Sequence, residues 1–405
     1  VSIPLLTQDF DVIHTLGRGT FGTVFLARDK INLTYYAMKS MDKNEIIIKN
    51  NVKSVIQEKK ILQAVSFPFI INMVWACKDN CYVYLLLPFQ GGGELFQLLR
   101  KNKTFSEELS QFYASQLVLA LEYLHHCDIV HRDLKPENVL IAKSGYIKLN
   151  DFGLSKIMKN RTWTICGTPE YVAPEIILSK GYSYAVDWWA LGIFVYEMVV
   201  GYPPFISSEP KQLYQKILSG QFKAPTTISS SCKSLIKHFL EVDPTKRFGS
   251  LKSGVYDIKN HKWFYNLDWE SIFHQTVEPP FIPVFKNDTD TSHFRGCIPD
   301  TQNVSKIFIG HPGLRPNSKY PDDKVDVMHE DISNAIHSYK THFNVMMGDF
   351  NAIFIYLFIF SQIISNLHNY LIGSCTFILP SDSWRLVSKL GRNTYVMDNQ
   401  ASTSR

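Results

Sequence analysis

The sequence predicts an α+β protein with two unequal lobes: a small β-rich lobe that contains one key helix, and a larger, mostly helical lobe. Three observations support this. Strand-like patterns dominate up to about residue 87, a glycine-rich stretch follows, and apolar residues then recur at helical spacing. The chain has 405 residues, of which 45% are hydrophobic. That length is enough for one large or two moderate hydrophobic cores.

The small lobe is predicted over residues 10–87. The segments FDVIHTL and TVFLAR alternate in polarity and flank a glycine-rich turn, and YYAMKS and YVYLLLPF continue the strand pattern. One helix interrupts them, because a set of apolar residues falls near one helical stripe. These residues are Val52, Val55, Ile56, Ile61 and Leu62.

A hinge is predicted at residues 88–93, where QGGG follows the last strand, and the large lobe at residues 94–264. Ser106 is a predicted N-cap, with Glu107 and Glu108 favourable in the first turn of the helix. The segment VDWWALGIFVYEMVV (186–200) is apolar nearly all round. Such a helix belongs at the centre of a lobe.

The two ends of the chain differ from the rest. Residues 1–9 read as a remnant of an N-terminal segment without a signal peptide, and residues 265–294 as the start of a C-terminal tail. Residues 295–405 are predicted to be disordered or wrongly translated. Their apolar tract AIFIYLFIF has nine residues, against the roughly 20 that a membrane span needs. A membrane anchor here is the minor alternative.

Charge and cysteine content narrow the class of protein. The formal net charge is +5, from 42 basic and 37 acidic residues. This surplus is too small to suggest nucleic-acid binding. The seven cysteines are scattered and odd in number, which favours reduced thiols and a cytoplasmic location, with the nucleus as a second compartment.

A glycine-rich segment, GRGTFGTV (17–24), lies between two predicted strands. Glycines let the backbone approach phosphate oxygens closely, but alone this segment fits an ordinary hairpin turn equally well. A dinucleotide fingerprint would need a helix directly after it, where a strand follows. Lys39 lies one strand later, and Glu58 on the next helix is the natural acid to hold it.

The segment HRDLKPENVL (131–140) and the DFG sequence that starts at Asp151 supply the remaining chemical groups. Asp133 can accept the proton of an attacking hydroxyl, and Lys135 can neutralise charge on a transferred phosphoryl group. Asn138 and Asp151 offer hard oxygen ligands suited to Mg²⁺. Phosphoryl transfer needs this combination of positioning and charge stabilisation.

With GRGTFGTV, AMK, HRDLKPEN, DFG and APE (173–175) in this order, the chain resembles the eukaryotic protein kinases. Lys135 and the sequence GTPE (167–170) resemble the serine/threonine class. RTWTICGTPEYVAPEIILSKGYSYAVDWWALG (161–192), DPTKRFG (243–249) and KNHKWF (259–264) resemble the catalytic subunits of cyclic-AMP-dependent kinases and their relatives in the AGC group. The resemblance covers about residues 8–294.

This resemblance implies a bilobal fold that binds ATP and two Mg²⁺ ions in the cleft between the lobes. Asp133, Lys135, Lys39 and Glu58 are the implied catalytic residues, and Asn138 and Asp151 the implied metal ligands. The implied ATP-binding residues are Leu16, Gly17, Gly19, Thr20, Phe21, Gly22, Val24, Ala37, Lys39, Leu87, Pro88, Gln90 and Leu140. Pro88 departs from the family, in which an acidic residue is usual. Proline keeps the carbonyl group that the adenine would use.

Thr164 matches the activation-loop phosphosite of the family, with Arg132 and Lys156 as its implied phosphate pocket. The helix-borne histidine that also reaches this phosphate in the family is absent, and Ser54 occupies its position. We therefore predict a looser coupling between phosphorylation of Thr164 and the placement of Glu58.

The resemblance also implies substrates with basic residues before the target Ser or Thr. The implied acidic and apolar contacts are Glu94, Glu137, Glu197, Ile165, Pro169 and Val172, and the implied structural residues are Glu175, Asp187 and Arg247. The implied partners are a cyclic-nucleotide-binding regulatory subunit and pseudosubstrate inhibitors. A cyclic-nucleotide-independent kinase and a pseudokinase scaffold remain the alternatives. After Phe294 the aromatic and acidic tail of the family has no counterpart.

Overall fold

A five-stranded antiparallel sheet, in the order β1-β2-β3-β5-β4, forms the small lobe. The computed structural model describes residues 9–19, 22–158, 160–287 and 289–294, all within one folded unit of the chain. The small-lobe elements are β1 (Phe10–Gly19), β2 (Gly22–Asp29), β3 (Tyr35–Asp42), α1 (Lys43–Ile48), α2 (Val52–Ala64), β4 (Trp75–Lys78) and β5 (Tyr82–Pro88).

The register of this sheet positions the residues of the glycine-rich segment and of the strand that carries Lys39. Val24 of β2 lies opposite Lys39 of β3, and Ala37 of β3 lies opposite Leu87 of β5. Gly22 begins β2 beside β3, where a Cβ atom would lie 2.0 Å from the Ser40 carbonyl oxygen. Only glycine therefore allows the two strands to approach this closely.

Helix α2 forms where the sequence predicts it, but its buried face is narrower than predicted. Val55, Ile61 and Leu62 are buried, whereas Val52 and Ile56 are 43% and 50% exposed. The prediction that these two residues share the buried stripe is wrong. Burial on α2 includes Glu58, a charged residue that hydrophobic periodicity does not count.

The large lobe is mostly helical. Its elements are α3 (Leu95–Asn102), α4 (Glu107–His126), β6 (Ile129–Val130), β7 (Val139–Ile141), β8 (Ile147–Leu149), β9 (Lys156–Ile157), α5 (Pro174–Ile177), α6 (Ala185–Val200), α7 (Pro210–Ser219), α8 (Ser230–Phe239), α9 (Tyr256–Lys259) and α10 (Trp269–Phe273). Ser106 caps α4 by accepting the Leu109 N–H, as predicted. Helix α6 is buried along its length up to Val199, which confirms the predicted central helix.

After α10 the chain returns to the hinge. Tyr146 donates a hydrogen bond to the carbonyl of Val277 at 2.6 Å, and the rings of Phe89 and Phe294 stack with centroids 5.7 Å apart. A Cβ atom on Gly93 would lie 2.3 Å from the carbonyl oxygen of His293. The segment around residues 285–294 therefore packs directly on the hinge backbone.

The predicted α+β class is confirmed, with a β-rich small lobe and a helical large lobe. Within the part of the chain that the structure describes, no helix has both the length and the apolar character needed to cross a membrane. The expectations for residues 1–8 and 295–405, including the apolar tract, lie outside the described residues.

Candidate active site

Lys39 of β3 lies between two carboxylates. Its Nζ atom is 2.5 Å from Glu58 Oε1 and 3.7 Å from Asp151 Oδ1. Burial alone lowers the pKa of Lys39, but the charges of Glu58 and Asp151 outweigh it and raise the pKa above its ordinary value. Lys39 therefore carries a full positive charge in the cleft.

Asp133 and Lys135 lie on the segment 131–138 between β6 and β7, here called the catalytic loop, and form a triangle with Thr168. Thr168 Oγ1 donates to Asp133 Oδ1 at 2.8 Å, and Lys135 Nζ donates to Thr168 Oγ1 at 2.8 Å. Lys135 also lies 2.9 Å from Asp133 Oδ2. This arrangement fixes a carboxylate and an ammonium group side by side, as transfer to a hydroxyl requires.

Asn138 and Asp151 have the donor atoms that a divalent cation needs. The Asn138 amide nitrogen donates to the main-chain and side-chain oxygens of Asp133, which leaves its carbonyl oxygen for a ligand. Desolvation raises the pKa of Asp151, but the charge of Lys39 and the Gly153 N–H outweigh it and hold the pKa below its ordinary value. These hard oxygen donors fit Mg²⁺.

Asp187 of α6 holds the catalytic loop through hydrogen bonds to its backbone. Its carboxylate accepts the backbone N–H groups of His131 at 2.9 Å and Arg132 at 2.8 Å, and it lies 2.8 Å from His125 Nε2. These bonds hold Arg132 at φ +68°, a left-handed conformation that is costly for arginine. The buried carboxylate thus supports a strained loop beside the predicted site.

Most of the predicted nucleotide-binding residues lie on strands of the two lobes. Leu16, Gly17, Gly19, Gly22, Val24, Ala37 and Lys39 lie on β1 to β3, Leu87 and Pro88 end β5, and Leu140 lies on β7. The Gln90 side-chain amide donates to the Pro88 carbonyl at 3.3 Å. The predictions for Thr20 and Phe21 lie outside the described residues.

Thr164 is exposed on the loop that follows β9. Tyr182 donates to the Thr164 carbonyl at 2.6 Å and accepts from Arg132 at 3.2 Å, so a single tyrosine separates Arg132 from the Thr164 backbone. Lys156 donates instead to Thr162 Oγ1 at 2.8 Å. The structure therefore brings Arg132 and Lys156 to the base of the loop that carries Thr164.

The predicted substrate contacts fall into different environments. Glu197 is buried and accepts a hydrogen bond from Tyr171. Burial and the charge of Glu137 raise the pKa of Glu197, and the hydrogen bond from Tyr171 lowers it. The net result is a pKa above the ordinary value of 4.5. Glu137 therefore lies within electrostatic reach of Glu197.

Glu94 lies apart from that pair in chain position, at the N-cap of α3. Ile165 is exposed on its loop and Val172 is buried. Pro169 begins a 3₁₀ turn, Pro169–Tyr171, between them. The three apolar residues therefore differ in exposure along one short stretch of the chain.

Glu175 and Arg247 form a bidentate pair in the interior of the large lobe. The two Arg247 nitrogens lie 2.7 Å and 3.0 Å from the Glu175 oxygens. Arg247 is fully buried and also donates to the carbonyl groups of Ala185 and Glu241. These contacts join Glu175, Ala185 and Glu241 through one buried side chain, so they stabilise the large lobe from inside.

Sequence reasoning missed two residues that the structure places at the site. Thr168 bridges Asp133 and Lys135, and it lies within the quoted GTPE sequence that could have pointed to it. Tyr171 contacts Glu197, but no short-range pattern links two residues 26 positions apart.

Comparisons with known proteins define the class to which this geometry belongs. Residues 10–264 match the family model for the protein kinase domain. The chain therefore belongs to the protein kinase family. Kinases of this family use ATP with Mg²⁺ and act on protein substrates.

Within the family, the similar relatives are cAMP-dependent protein kinase catalytic subunits. The human catalytic subunit PRKX is 46% identical over 71% of this chain and 80% of its own length. Catalytic subunit 3 of Drosophila melanogaster is 47% identical over 71% of this chain and 49% of its own length, so the chain spans about half of that relative. Together with the family model, these matches show a serine/threonine protein kinase that is similar to the cAMP-dependent catalytic subunits.

Proposed function

We propose that the chain is an active kinase that transfers the γ-phosphate of ATP to Ser or Thr in substrates with arginines upstream. The observation that supports this best is the approach of Lys39 to both Glu58 and Asp151. A pseudokinase scaffold has no need to keep this arrangement together with the bonded set of Asp133, Lys135 and Thr168.

In this proposal each side chain has one role. Lys39, held by Glu58, binds phosphate oxygens of the nucleotide. Asp133 orients the substrate hydroxyl and accepts its proton, while Lys135 stabilises charge on the phosphoryl group as the bond to the leaving oxygen breaks. Asn138 and Asp151 would hold two Mg²⁺ ions, which neutralise phosphate charge when bound.

The selectivity for arginine rests on the acidic residues of the large lobe. The buried Glu197 carboxylate lies close to Glu137. In this proposal their negative charges attract the guanidinium group of a substrate arginine. Glu94 is proposed as a further contact. Thr164 is proposed as the activating phosphosite, since Arg132 already reaches Tyr182 beside it.

We further propose a cyclic-nucleotide-binding regulatory subunit as the inhibitory partner, by analogy with the names of the relatives. The scattered cysteines support a cytoplasmic location, with the nucleus as a second one. The cyclic-nucleotide-independent alternative predicts that no regulatory subunit changes the activity.

The test is phosphotransfer from Mg-ATP to an Arg-Arg-x-Ser-Ile peptide by the full chain. A matched peptide with both arginines replaced by alanine tests selectivity, and Asp133→Asn tests the role of the carboxylate. We expect transfer to the first peptide, and a loss of about a hundredfold or more in the Asp133 variant. An inactive chain with phosphorylated Thr164 would favour the scaffold alternative.

A second arm adds a regulatory subunit, with and without cyclic AMP or cyclic GMP. Inhibition that either nucleotide relieves supports the proposed partner. Unchanged activity in every combination supports a cyclic-nucleotide-independent kinase.

A further inference from the structure

The ion pair between Lys39 and Glu58 does not by itself fix the position of Glu58. The Glu58 side chain is 2% exposed, and its Oε1 atom contacts Lys39. Its Oε2 atom is buried without a hydrogen-bond partner among the described residues. A buried carboxylate that is half satisfied is costly. Other contacts must therefore hold α2 in the position that brings Glu58 to Lys39.

The N-terminal end of α2 offers little such support. Asn51, at the N-cap, makes no side-chain capping bond, and the first turn contains no acidic residue. Val52 and Ile56 are largely exposed. Within the described residues, no hydrogen bond links Ser54 to the activation loop. Apart from the buried Val55 and the bond from the Asn51 N–H to the Ile46 carbonyl, this end of the helix therefore has few local contacts.

Gln57, the residue before Glu58, supplies a contact to the large lobe. Its side-chain amide donates to the carbonyl oxygen of Ser155 at 2.8 Å. In the part of the chain that the structure describes, α2 makes two side-chain hydrogen bonds to residues outside itself. One joins Glu58 to Lys39, and the other is this bond from Gln57.

Ser155 is a firm anchor because it belongs to the turn that follows Asp151-Phe152-Gly153. It is buried, its N–H bonds to the Phe152 carbonyl at 3.0 Å, and its hydroxyl donates to the His131 carbonyl at 3.3 Å. The neighbouring Leu154 carbonyl accepts from Arg132 at 2.6 Å. Hydrogen bonds thus join Ser155 both to the catalytic loop, through His131, and to Phe152 in the segment that starts at Asp151.

We propose that Gln57 is a positioning residue that couples α2, and through it the Glu58–Lys39 pair, to the conformation of the segment Asp151–Ile157. The link joins a neutral amide to a carbonyl, so it does not require phosphate on Thr164. Rearrangement of this segment breaks the link and releases Glu58 from Lys39. The inference rests on the proposed kinase activity.

The experiment compares Gln57→Met, which removes the donor at similar size, with Gln63→Met on the exposed side of the same helix. Loss of one neutral hydrogen bond predicts a kcat/KM for ATP about three- to tenfold lower in the Gln57 variant. The KM for peptide remains unchanged, because the proposed peptide contacts lie in the large lobe. Gln63→Met matches the wild type.

A double-mutant cycle with Glu58→Gln separates positioning from a purely structural role. Because Gln57 acts through Glu58, adding Gln57→Met to Glu58→Gln produces no further loss of Mg-ATP affinity, measured by equilibrium binding. Losses that multiply in the double variant would overturn the inference, as would a Gln57→Met variant with wild-type kinetics.

The two proposals can fail separately. A wild-type chain that transfers no phosphate contradicts the proposed function alone, because the same cycle can still be measured through Mg-ATP binding. An active wild type with independent effects at positions 57 and 58 contradicts the positioning role alone.

Discussion

At the scale of single residues, the site depends on side chains that each satisfy more than one neighbour. The Thr168 hydroxyl is the clearest case, since it donates to Asp133 and accepts from Lys135. One hydroxyl group thereby supports the direct contact between the proposed base Asp133 and the proposed charge-stabilising Lys135.

We expect Thr168→Val to lower kcat about ten- to a hundredfold, because it removes a hydroxyl that orients both groups. Thr168→Ser keeps the hydroxyl and should retain most of the activity. Steady-state kinetics on the peptide substrate measure both variants. A Thr168→Ser variant as impaired as Thr168→Val would contradict the role assigned to the hydroxyl.

Glu197 predicts a pH dependence of peptide binding. Since its pKa is raised above 4.5, the protonated form persists to higher pH than for an exposed glutamate. An arginine side chain binds the ionised form, so the KM of an arginine-containing peptide should fall as the pH rises above 4.5 toward neutrality.

This trend is measured by KM against pH for the two-arginine peptide, with the wild type and with Glu197→Gln. The variant should bind more weakly and lose the part of the pH dependence that comes from position 197. A profile of the same shape in both proteins would exclude Glu197 as the titrating contact.

At the scale of secondary-structure elements, the sequence predicts those whose signal is local. The Ser106 cap and the apolar helix α6 are of this kind, because the capping hydroxyl and the apolar run are visible in a few consecutive residues. Four of the five small-lobe strands, β1 to β3 and β5, are predicted from such local patterns, whereas the short strand β4 and the helix α1 are not.

Contacts between distant parts of the chain were not predictable in this way. The pairing of Glu58 with Lys39 was predicted from the charges of the two residues, but the stripe assigned to α2 included Ile56 and did not count Glu58 as buried. The bond from Gln57 to Ser155 spans 98 residues. The roles assigned to the site residues by resemblance stay predictions, which the experiments above test.

The ion pair that joins α5 to the loop before α9 gives a prediction on stability. Arg247→Met leaves Glu175 buried without its partner, and breaking a buried pair of this kind costs about 3–5 kcal/mol of unfolding free energy. Urea denaturation measures this loss. Lys246→Met, at the exposed neighbouring position, should leave the stability unchanged.

Replacing both members of the pair by apolar residues, with Glu175→Leu and Arg247→Met together, should recover part of the loss. Removal of both charges eliminates the desolvated carboxylate. If the single Arg247 variant were as stable as the wild type, the pair would have no structural importance.

At the scale of the whole molecule, the hinge is enclosed by the returning chain. Gly93 has φ +72°, and a Cβ atom there would lie 2.3 Å from the His293 carbonyl oxygen. A Cβ atom on Gly91 would lie 2.9 Å from the side-chain ring of Phe285. The backbone that connects the lobes is therefore packed on a segment about 200 residues later in the chain.

We expect Gly93→Ala to raise the KM for ATP about fivefold, which corresponds to about 1 kcal/mol, because the hinge or the returning segment must move. Gly254→Ala is the matched control, since Gly254 also has positive φ but a Cβ atom there would meet no other atom within 4 Å. ATP kinetics of both variants give the answer. Similar effects at the two positions would attribute the change to backbone strain alone.

The fully buried Arg247 has a further consequence in a living cell. A substitution there leaves the residues of the cleft in place and instead enlarges the unfolded fraction, which quality control removes. Inherited changes at this position would therefore reduce how much enzyme accumulates, most of all at raised temperature, while each surviving copy keeps its normal turnover.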